Sequence, residues 1–594
     1  MQLLEPPPRT QTSTHVAVVA TYLALSLVLW GHVWIGGNPA HLITCNCGDT
    51  AQQVWWLEWF PWAITHGHNP FLTNALWSRF GGVNALTNTS WIAPAAVLSP
   101  ITWLFGPIAS FNVANLLAPV LSGWAAFALA GRISHRTIAR LVAGGLYAFS
   151  PFVIRNIVFG HLDLTLTAYL PLVLLLGLKL LSRGGRGMRI GLWLGLLTIV
   201  QFFTGLEVLA LTAITGSLCA LAVLIWRRQL VVVARRQLLY AAGVGGFLSG
   251  VVLAYPLWFY FEGPRHVVGP YWRVLSSRPW SIIWAGHHIF DANGRLAAVG
   301  YLGPKGPGAD FLGIGLLLLV MASFPLWRRR PSCVIIAAVG VVSWALEFFP
   351  APLWARLPLL SSIELVRFAL PVSLFVGLLL AASIDGWWNA VASRWPTSRD
   401  VDRRKVARLG IIVLVVVAFI PIMDTYSIPF RVTTATVPAW FKQEGSRLAP
   451  GTAVLTIPFA YGLESQPMAW QAETNIDFDL IGGWALVPGG NGVNDEMVSH
   501  LGGPVAALIS ISRQPLCTTI AEQKTIRTAL VRWRPLVVVD IPRYAKPGAR
   551  AAMTATLGLR PTWSHDAWVW NLTRSTRLGP RVDLRSAKSC PSTS

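Results

Sequence analysis

The sequence predicts an α-helical polytopic membrane protein of about eleven spans, with a small C-terminal α/β domain outside the membrane. First, 54% of the residues are hydrophobic and only 12% are charged, whereas a soluble domain has roughly 25% charged residues. Second, uncharged apolar stretches of about 20 residues, enough to cross a bilayer as a helix, recur along most of the chain. Third, the final part of the chain replaces these stretches with short segments typical of strands.

Eleven apolar stretches are the predicted spans. The first is too long and too weakly basic at its front to be a cleavable signal peptide, so we expect it to be retained. The segment 91–105 is apolar but interrupted by proline, which favours a re-entrant or interfacial position; a twelfth span stays open. The predicted spans are 15–36, 109–131, 138–154, 165–182, 190–206, 208–226, 238–258, 311–327, 332–350, 366–388 and 409–423.

The positive charge is a topology signal. The formal net charge is +22, which in a soluble protein would suggest nucleic acid as a partner. Here 19 of the 47 cations lie in five short connections between spans, and such clusters mark cytoplasmic loops. We therefore expect membrane lipids as a partner and no nucleic acid. The five basic segments are 132–140, 183–189, 227–236, 328–330 and 394–408.

With these segments in the cytoplasm, the domain organisation follows. Residues 1–14 are predicted to be a cytoplasmic leader and 15–423 a transmembrane domain of the plasma (inner) membrane. Its large outer loops are 37–89 and 259–310, and 424–594 form an extracytoplasmic soluble domain.

In that soluble domain, short stretches rich in β-branched or aromatic residues predict three strands, Ala453–Phe459, Pro535–Ile541 and Ala567–Leu572. Glu496–Ile511 and Thr518–Val531 are predicted helices.

Four cysteines map outside the membrane, where disulfides persist. Pairing of Cys517 with Cys590 would fasten the end of the chain to its domain. Cys45 and Cys47 could instead be metal ligands, although no histidine-rich motif accompanies them.

The first outer loop carries the most informative residues. Asp49 lies shortly after the first span, and Trp55, Trp56, Trp59 and Trp62 follow at helical spacing. We expect this helix to lie in the membrane interface with its aromatic face toward lipid. It would then hold Asp49 close to the headgroup of a lipid-linked substrate.

Several short motifs occur along the chain in a fixed order. They are Gly48-Asp49 with Gln52 or Gln53, His66–Phe71, Gly81–Asn84, Phe149-Ser150-Pro151, Gly160–Asp163, Gln201–Phe203 with Glu207, Leu357-Pro358 with Arg367-Phe368, and Ile457–Phe459, Trp470-Gln471 and Gly482–Trp484 in the tail. The pattern resembles the GT-C superfamily of membrane glycosyltransferases, and more closely its YfhO-type and related actinobacterial envelope proteins.

This resemblance implies a glycosyltransferase that takes sugar from a polyprenyl-phosphate donor and passes it to an envelope glycan, lipid or protein. In that family an acidic residue of the first outer loop acts as general base or orients the acceptor hydroxyl, a role that falls on Asp49, with Gln52 beside it in the motif. Chemistry supports such a role, because a sugar hydroxyl has a very high pKa and attacks poorly without a positioned carboxylate.

The leaving polyprenyl phosphate is an anion and needs cationic or metal stabilisation. Arg367, at the outer end of its predicted span, is the first candidate, with Arg265 and Arg155 behind it. The first loop lacks a DxD-like metal motif. A metal-independent mechanism is therefore favoured, and a divalent cation stays open.

Ionisable residues at the ends of spans are further candidates for substrate binding, because charge at membrane depth is costly. His161 and Asp163 lie where a short outer turn meets the next span; they could equally hold helices together. Glu207 interrupts an apolar stretch, which suggests a partner such as Arg155 or a place in a cavity. Glu58 is more simply a solvated or packing residue of its helix. The second outer loop adds Glu262, Arg265, His287, His288, Asp291 and Asp310.

Two other functions compete with the enzyme. A transporter or flippase would show internal repeats and broken helices at mid-membrane, and no internal duplication is visible in the sequence. A non-catalytic assembly factor would use the tail to bind partners.

Overall fold

The computed structural model describes residues 11–45, 47–182, 186–267, 276–284, 310–357, 360–395, 401–488, 494–495 and 503–580. The chain folds into two compact units. Unit 1 consists of Met1–Gly37, Val113–Ala254 and Trp272–Arg431, and unit 2 of Asn38–Asn112, Tyr255–Tyr271 and Val432–Ser594.

The chain is mostly helical. Its α-helices are α1 (Thr12–Trp34), α2 (Gly48–Thr65), α3 (Ile92–Phe105), α4 (Pro107–Ala130), α5 (Thr137–Ala148), α6 (Pro151–Phe159), α7 (Tyr169–Leu181), α8 (Gly187–Phe202), α9 (Leu206–Phe261), α10 (Ile314–Ala322), α11 (Phe324–Trp327), α12 (Pro331–Leu346), α13 (Ala351–Trp354), α14 (Ala369–Arg394), α15 (Val401–Asp424), α16 (Ala439–Gln443), α17 (Gln466–Glu473), α18 (Gly503–Arg513), α19 (Ile520–Arg532) and α20 (Ala549–Leu557).

The strands are short and belong to unit 2. They are β1 (Leu42–Ile43), β2 (Leu72–Thr73), β3 (Val83–Asn84), β4 (Thr433–Thr434), β5 (Ala453–Ile457), β6 (Asp479–Leu480), β7 (Val487–Pro488), β8 (Asn494–Asp495), β9 (Leu536–Asp540), β10 (Thr562–Ser564) and β11 (Ala567–Leu572).

The predicted membrane class is confirmed. Within the described residues, seven helical segments are long and apolar enough to cross a membrane, and α3, α8 and α12 are shorter apolar helices. Each of the eleven predicted spans coincides with a helix or a pair of helices. The 56-residue α9 contains two of them, because Arg227 has non-helical backbone angles and breaks the helix. At 14 residues, α3 is too short to span the bilayer, in line with the interfacial or re-entrant position expected for 91–105.

The core of unit 1 forms around α14, which is 89% buried along its apolar window and packs against α5 and α12. The helices approach closely because two glycines lack a side chain. A Cβ on Gly377 would lie 2.9 Å from the Ala143 carbonyl oxygen, and one on Gly144 would overlap the Tyr22 hydroxyl. That hydroxyl donates to the carbonyl of Leu141, which joins α1 to α5.

Three of the basic segments meet at one end of α14. Arg136 Nε lies 3.0 Å from Asp385 Oδ1, and Arg330 Nη1 lies 3.5 Å from Asp385 Oδ2. The guanidinium groups of Arg136 and Arg408 lie over the Trp388 ring, 5.7 and 5.3 Å from its centroid. The segments 132–140, 328–330 and 394–408 are therefore neighbours.

The other two basic segments join the same end of unit 1. Lys179, in the last turn of α7, lies within the electrostatic reach of both Arg132 and Arg189. The backbone N–H of Gly187 donates to Gln237 Oε1 at 2.6 Å, which ties the start of α8 to the chain after 227–236. Gathering all five segments at one end of the helices is what the positive-inside rule requires of loops on one side of a membrane.

Substitution of Asp385 by Asn should destabilise unit 1, because it leaves the two guanidinium groups of Arg136 and Arg330 facing each other without a counter-ion. We expect the free energy of unfolding to fall by about 1–3 kcal/mol, because the ion pairs of Asp385 are only partly buried. The loss is measured as a lower melting temperature of the detergent-solubilised protein. The control is Asp402→Asn, whose side chain is 94% exposed beside Lys405. Equal melting temperatures for the two variants would contradict this role.

Unit 2 contains the predicted α/β domain. Its five-stranded sheet has the order β10-β11-β9-β5-β6. The strands β6, β5 and β9 are parallel, and β9, β11 and β10 are antiparallel. Every residue of β5 and β9 is buried, which is typical of parallel strands covered on both faces.

The predicted helices of this domain are present with shifted ends. The helix expected over 518–531 is α19, which begins with a capping box between Thr519 and Glu522. The helix expected over 496–511 is α18, described from Gly503 onward; 496–502 lie outside the described residues.

The interfacial position predicted for α2 is wrong. Trp55 and Trp56 are fully buried inside unit 2 rather than turned toward lipid, because α2 packs against α3 on one side and α17 on the other. The Trp55 indole donates to Gln471 Oε1 at 2.7 Å. These tryptophans form a protein core.

Cys45 and Cys47 form a disulfide with each other, so they are not available together as metal ligands. Cys517 is also disulfide-bonded; Cys590, its predicted partner, lies outside the described residues.

Candidate active site

An ion cluster in unit 1 brings together residues from three separate helix ends. Arg367, in the 3₁₀ turn before α14, lies between two carboxylates: its Nε is 3.3 Å from Glu207 Oε1 and 3.1 Å from Glu364 Oε2. Glu207 lies in the first turn of α9, where a negative charge is favourable, and also accepts the backbone N–H of Glu364. The charge of Arg367 is thus more than balanced.

Asn156 links this cluster to the outer turn after α6. Its Oδ1 accepts from Arg367 Nη1 at 3.2 Å and lies 3.0 Å from His161 Nδ1; since Oδ1 is an acceptor, we place the imidazole proton on Nδ1. The turn is tight because Gly160 adopts a left-handed conformation, with φ +80°. His161 is therefore positioned by the polar cluster.

Asp163 follows in the same turn and is buried. Its negative charge acts on Glu207, and a Cβ on Gly205 would come within 2.7 Å of its carbonyl oxygen. The turn and the start of α9 are thus in close contact. The partner of Glu207 is Arg367 rather than the suggested Arg155, which is a correction.

Arg155 is the cation that this cluster leaves unpaired. Its guanidinium lies over the Phe159 ring, 5.4 Å from the centroid, in the electrostatic field of Arg367, Glu364 and Asp310. Within the part of the chain that the structure describes, it makes no hydrogen bond or ion pair. A guanidinium has five donors, so this half-buried one can receive an anionic ligand.

Asp310 is the acidic residue at the end of the second outer loop, and it lies in unit 1. Its carboxylate accepts the Ser281 hydroxyl, and the buried carboxyl of Glu347 lies beside it. Burial raises the pKa of Asp310, while the Ser281 hydrogen bond and the charge of Arg155 act in the opposite direction. The other members, His287, His288 and Asp291, lie outside the described residues.

In unit 2, Asp49 lies in the first turn of α2. Its Oδ1 accepts the indole N–H of Trp484 at 2.7 Å, and the Trp484 ring packs against Tyr461. The helix begins after Cys47 without a side-chain cap, so Asp49 is not the N-cap residue. A hydrogen bond from a fixed indole orients the carboxylate.

Gln52, one turn further along α2, makes hydrogen bonds through both the nitrogen and the oxygen of its side-chain amide. Its Nε2 donates to the Trp484 carbonyl at 2.7 Å, and its Oε1 accepts from the Thr89 hydroxyl at 2.9 Å. The residue before Asp49 is a glycine because the Gly462 backbone lies against it: a Cβ on Gly48 would overlap the Gly462 carbonyl oxygen. Gln52 is thereby a positioning residue for the segment that carries Trp484.

Arg265, the third predicted cation, lies in unit 2. It has a left-handed backbone, with φ +58°, and its Nε donates to the Gly82 carbonyl at 3.4 Å.

The structure therefore assembles five predicted residues in unit 1, Arg155, His161, Asp163, Glu207 and Arg367, and two in unit 2, Asp49 and Gln52. The sequence did not single out Asn156 or Glu364, and it named Trp484 only as part of a tail motif, without a role beside Asp49. Only Glu364 had a local signal, because it lies three residues before Arg367.

Metal-binding side chains do not cluster in the described part of the chain. Among those residues, no three His, Cys, Asp or Glu side chains come together as ligands for a metal ion. A divalent cation stays an open prediction of the sequence.

Two further carboxyls meet inside unit 2. Glu58 of α2 is 7% exposed, and burial, followed by the charge of Glu473, raises its pKa to about 8. Burial raises the pKa of Glu473 to about 7, while the backbone N–H of Ile108 stabilises its charged form. Glu58 is thus buried rather than solvated.

The Glu58 pair predicts a pH-dependent stability. Because the pKa of Glu58 rises from 4.5 to about 8 on folding, the folded state holds the proton more tightly, and the free energy of unfolding falls as pH rises through that window. We expect Glu58→Gln to increase the free energy of unfolding at pH 8 by roughly 2–4 kcal/mol, measured as a higher melting temperature. Near pH 4.5 the substitution should have little effect. Asp402→Asn is the control; the same effect of Glu58→Gln at both pH values would contradict the assignment.

Comparison with known proteins supports the fold. No protein-family model matches the chain, and no curated protein matches it significantly. Among solved structures, the chain is similar to an oligosaccharyltransferase from Archaeoglobus fulgidus in its apo form, with a TM-score of 0.53 and 12% identity over 89% of this chain and 70% of that one. The same enzyme tethered to an acceptor peptide containing the NVT sequon matches equally well.

A second similar structure is ArnT from Cupriavidus metallidurans bound to undecaprenyl phosphate, with a TM-score of 0.46 and 14% identity over 94% of this chain and 98% of that one. The oligosaccharyltransferase, whose TM-score with this chain is 0.53, has the fold of the GT-C glycosyltransferases. The chain has the GT-C fold.

Proposed function

We propose that the protein is a glycosyltransferase that moves a sugar from a polyprenyl-phosphate donor to a cell-envelope acceptor on the extracytoplasmic side. The observation that carries this proposal is the guanidinium of Arg155, which has no hydrogen bond or ion pair within the described residues and lies beside an ion cluster in a GT-C fold. A fixed cation in a low-dielectric site stabilises the charge that develops on a departing phosphate.

Asp49 is the proposed base, as the resemblance implies. In the reaction the acceptor oxygen bonds to the anomeric carbon, and the bond from that carbon to the phosphate oxygen breaks with its electron pair leaving on the phosphate. The carboxylate of Asp49 takes the hydroxyl proton. The Trp484 indole keeps that carboxylate in one orientation.

Arg155 replaces Arg367 as the first candidate for the phosphate. Two carboxylates already neutralise Arg367, and an anion at that position would meet the net negative charge of Glu207 and Glu364. We assign Arg367 the role of a positioning residue, which holds Asn156 and through it His161.

We propose the orientation from the positions of the basic segments. Their shared end of unit 1 is assigned to the cytoplasm, which puts the N-terminus inside and the soluble domain outside.

The enzyme assignment is tested with purified protein and a panel of radiolabelled polyprenyl-phosphate sugars, supplied with a membrane extract as acceptor. Transfer from one donor is expected, and Asp49→Asn should lower its rate by about 10²–10⁴-fold, because the general base is lost. Asp402→Asn should transfer normally. Undiminished transfer by Asp49→Asn excludes Asp49 as the base. Absence of transfer from every donor contradicts the enzyme and favours the flippase or assembly factor.

The same assay distinguishes the roles of Arg155 and Arg367. Arg155→Ala should lower the rate by about 10²–10³-fold, and Arg155→Lys should recover part of it, because lysine retains the charge but not the forked geometry. Arg367→Lys should keep more activity than Arg155→Ala, since its partners need only a positive charge. The control is Arg447→Ala, an exposed residue paired with Glu444. A larger loss for Arg367→Lys than for Arg155→Ala would reverse the assignment.

A further inference from the structure

A row of large side chains crosses the sheet of unit 2 at one end. Trp563 of β10 pairs directly with Trp568 of β11, which pairs in turn with Asp540 at the end of β9. Residues directly opposite each other in antiparallel strands point to the same face. Arg550 of α20 completes this surface, since its guanidinium lies over the Trp568 ring, 4.6 Å from the centroid. We call these four residues the tryptophan row.

In the part of unit 2 that the structure describes, the polar groups of the tryptophan row make no hydrogen bonds. Among the described residues, no hydrogen-bond acceptor meets the indole N–H of Trp563 or Trp568, or the guanidinium of Arg550. Asp540 is 2% exposed, and its Oδ1 is buried without a donor. Buried polar groups are nearly always hydrogen-bonded in folded proteins, so an unpartnered carboxylate calls for a ligand or another explanation.

The apolar part of the row is open. The Trp563 side chain is 54% exposed, and its ring meets Trp568 edge-on with centroids 5.0 Å apart. An aromatic face with nearby N–H donors suits a molecule that has both an apolar face and hydroxyl groups. A pyranose ring has both. The row also lies at the carboxyl end of the parallel strand β9, where α/β sheets commonly bind ligands.

We propose that the tryptophan row is a glycan-binding site: a pyranose unit stacks on Trp563, and its hydroxyls accept hydrogen bonds from Arg550 and the Trp568 indole. Asp540 is a positioning residue, because its charge acts on Arg550 from beneath. Burial raises the pKa of Asp540 to about 6, so the carboxylate is mainly ionised at pH 7. The site binds glycan without any bond-making step and does not depend on the proposed transfer chemistry.

A lipid surface fits the row less well than a glycan. Membrane-binding faces combine several apolar side chains with cations. The residues around Trp563 on its hairpin are the polar Thr562, Ser564 and His565, and the carboxylate of Asp540 would repel anionic headgroups.

The test measures binding of maltohexaose, mannohexaose and xylohexaose to the full-length protein in lipid nanodiscs by isothermal titration calorimetry. At least one probe should bind saturably. Trp563→Ala should weaken that binding by about tenfold, because the stacking face is lost, and Trp563→Phe should retain most of it. Arg550→Ala should also weaken binding, whereas Val531→Ala, an exposed apolar residue on α19, should not.

Two results would overturn the proposal. One is saturable binding by none of the three probes, or equal binding by wild type and Trp563→Ala. The other uses a bimane label on Thr562→Cys, an exposed position beside Trp563 that leaves the stacking ring in place. If its emission changes when nanodiscs replace detergent, but not when glycan is added, the row faces lipid. Because binding is measured without turnover, a failed transfer assay leaves this result interpretable.

Discussion

The neutralisation of charge at the ends of the membrane helices is the constraint on which unit 1 depends. An ionised group removed from water is costly unless a partner compensates it. The carboxylates of Glu207 and Glu364 therefore hold Arg367 between them, and this arrangement joins the start of α9 to the start of α14. At the basic end of the helices, Asp385 does the same for Arg136 and Arg330. Arg155 lies beside the first cluster, and no carboxylate of the described residues forms an ion pair with it.

Features that depend on local composition could be predicted from the sequence. The spans are recognised because each needs an uninterrupted apolar stretch, and the basic segments because they flank those spans. The strands β5, β9 and β11 were predicted within one or two residues at each end, since buried parallel strands are short runs of branched residues. Helix ends were less accurate, because caps such as Thr519 with Glu522 decide them.

Features that depend on distant partners could not be predicted. The tryptophans of α2 have the pattern of an interfacial helix. Gln471 and the rest of α17 bury them, and no residue near α2 in the sequence indicates this contact. The proposed change in the ranking of the arginines has the same origin. Arg367 was the first candidate for the phosphate because it lies at the end of a span, but its partner Glu207 is 160 residues earlier in the chain. Similarly, the Trp484 that fixes Asp49 is 435 residues away from it.

Satisfied and unsatisfied polar groups separate structural residues from candidates for ligand binding. Gln471 is buried, but the Trp55 indole and the carbonyls of Ala75 and Phe478 occupy its amide completely, so it has nothing left for a substrate. Within the described residues, the half-buried Arg155 of unit 1 makes no hydrogen bond, and the Oδ1 atom of the buried Asp540 of unit 2 has no donor. Leaving such a group unpaired costs stability. Where this cost occurs at a cation suited to phosphate, and again beside an exposed aromatic face, ligand binding explains it better than packing does.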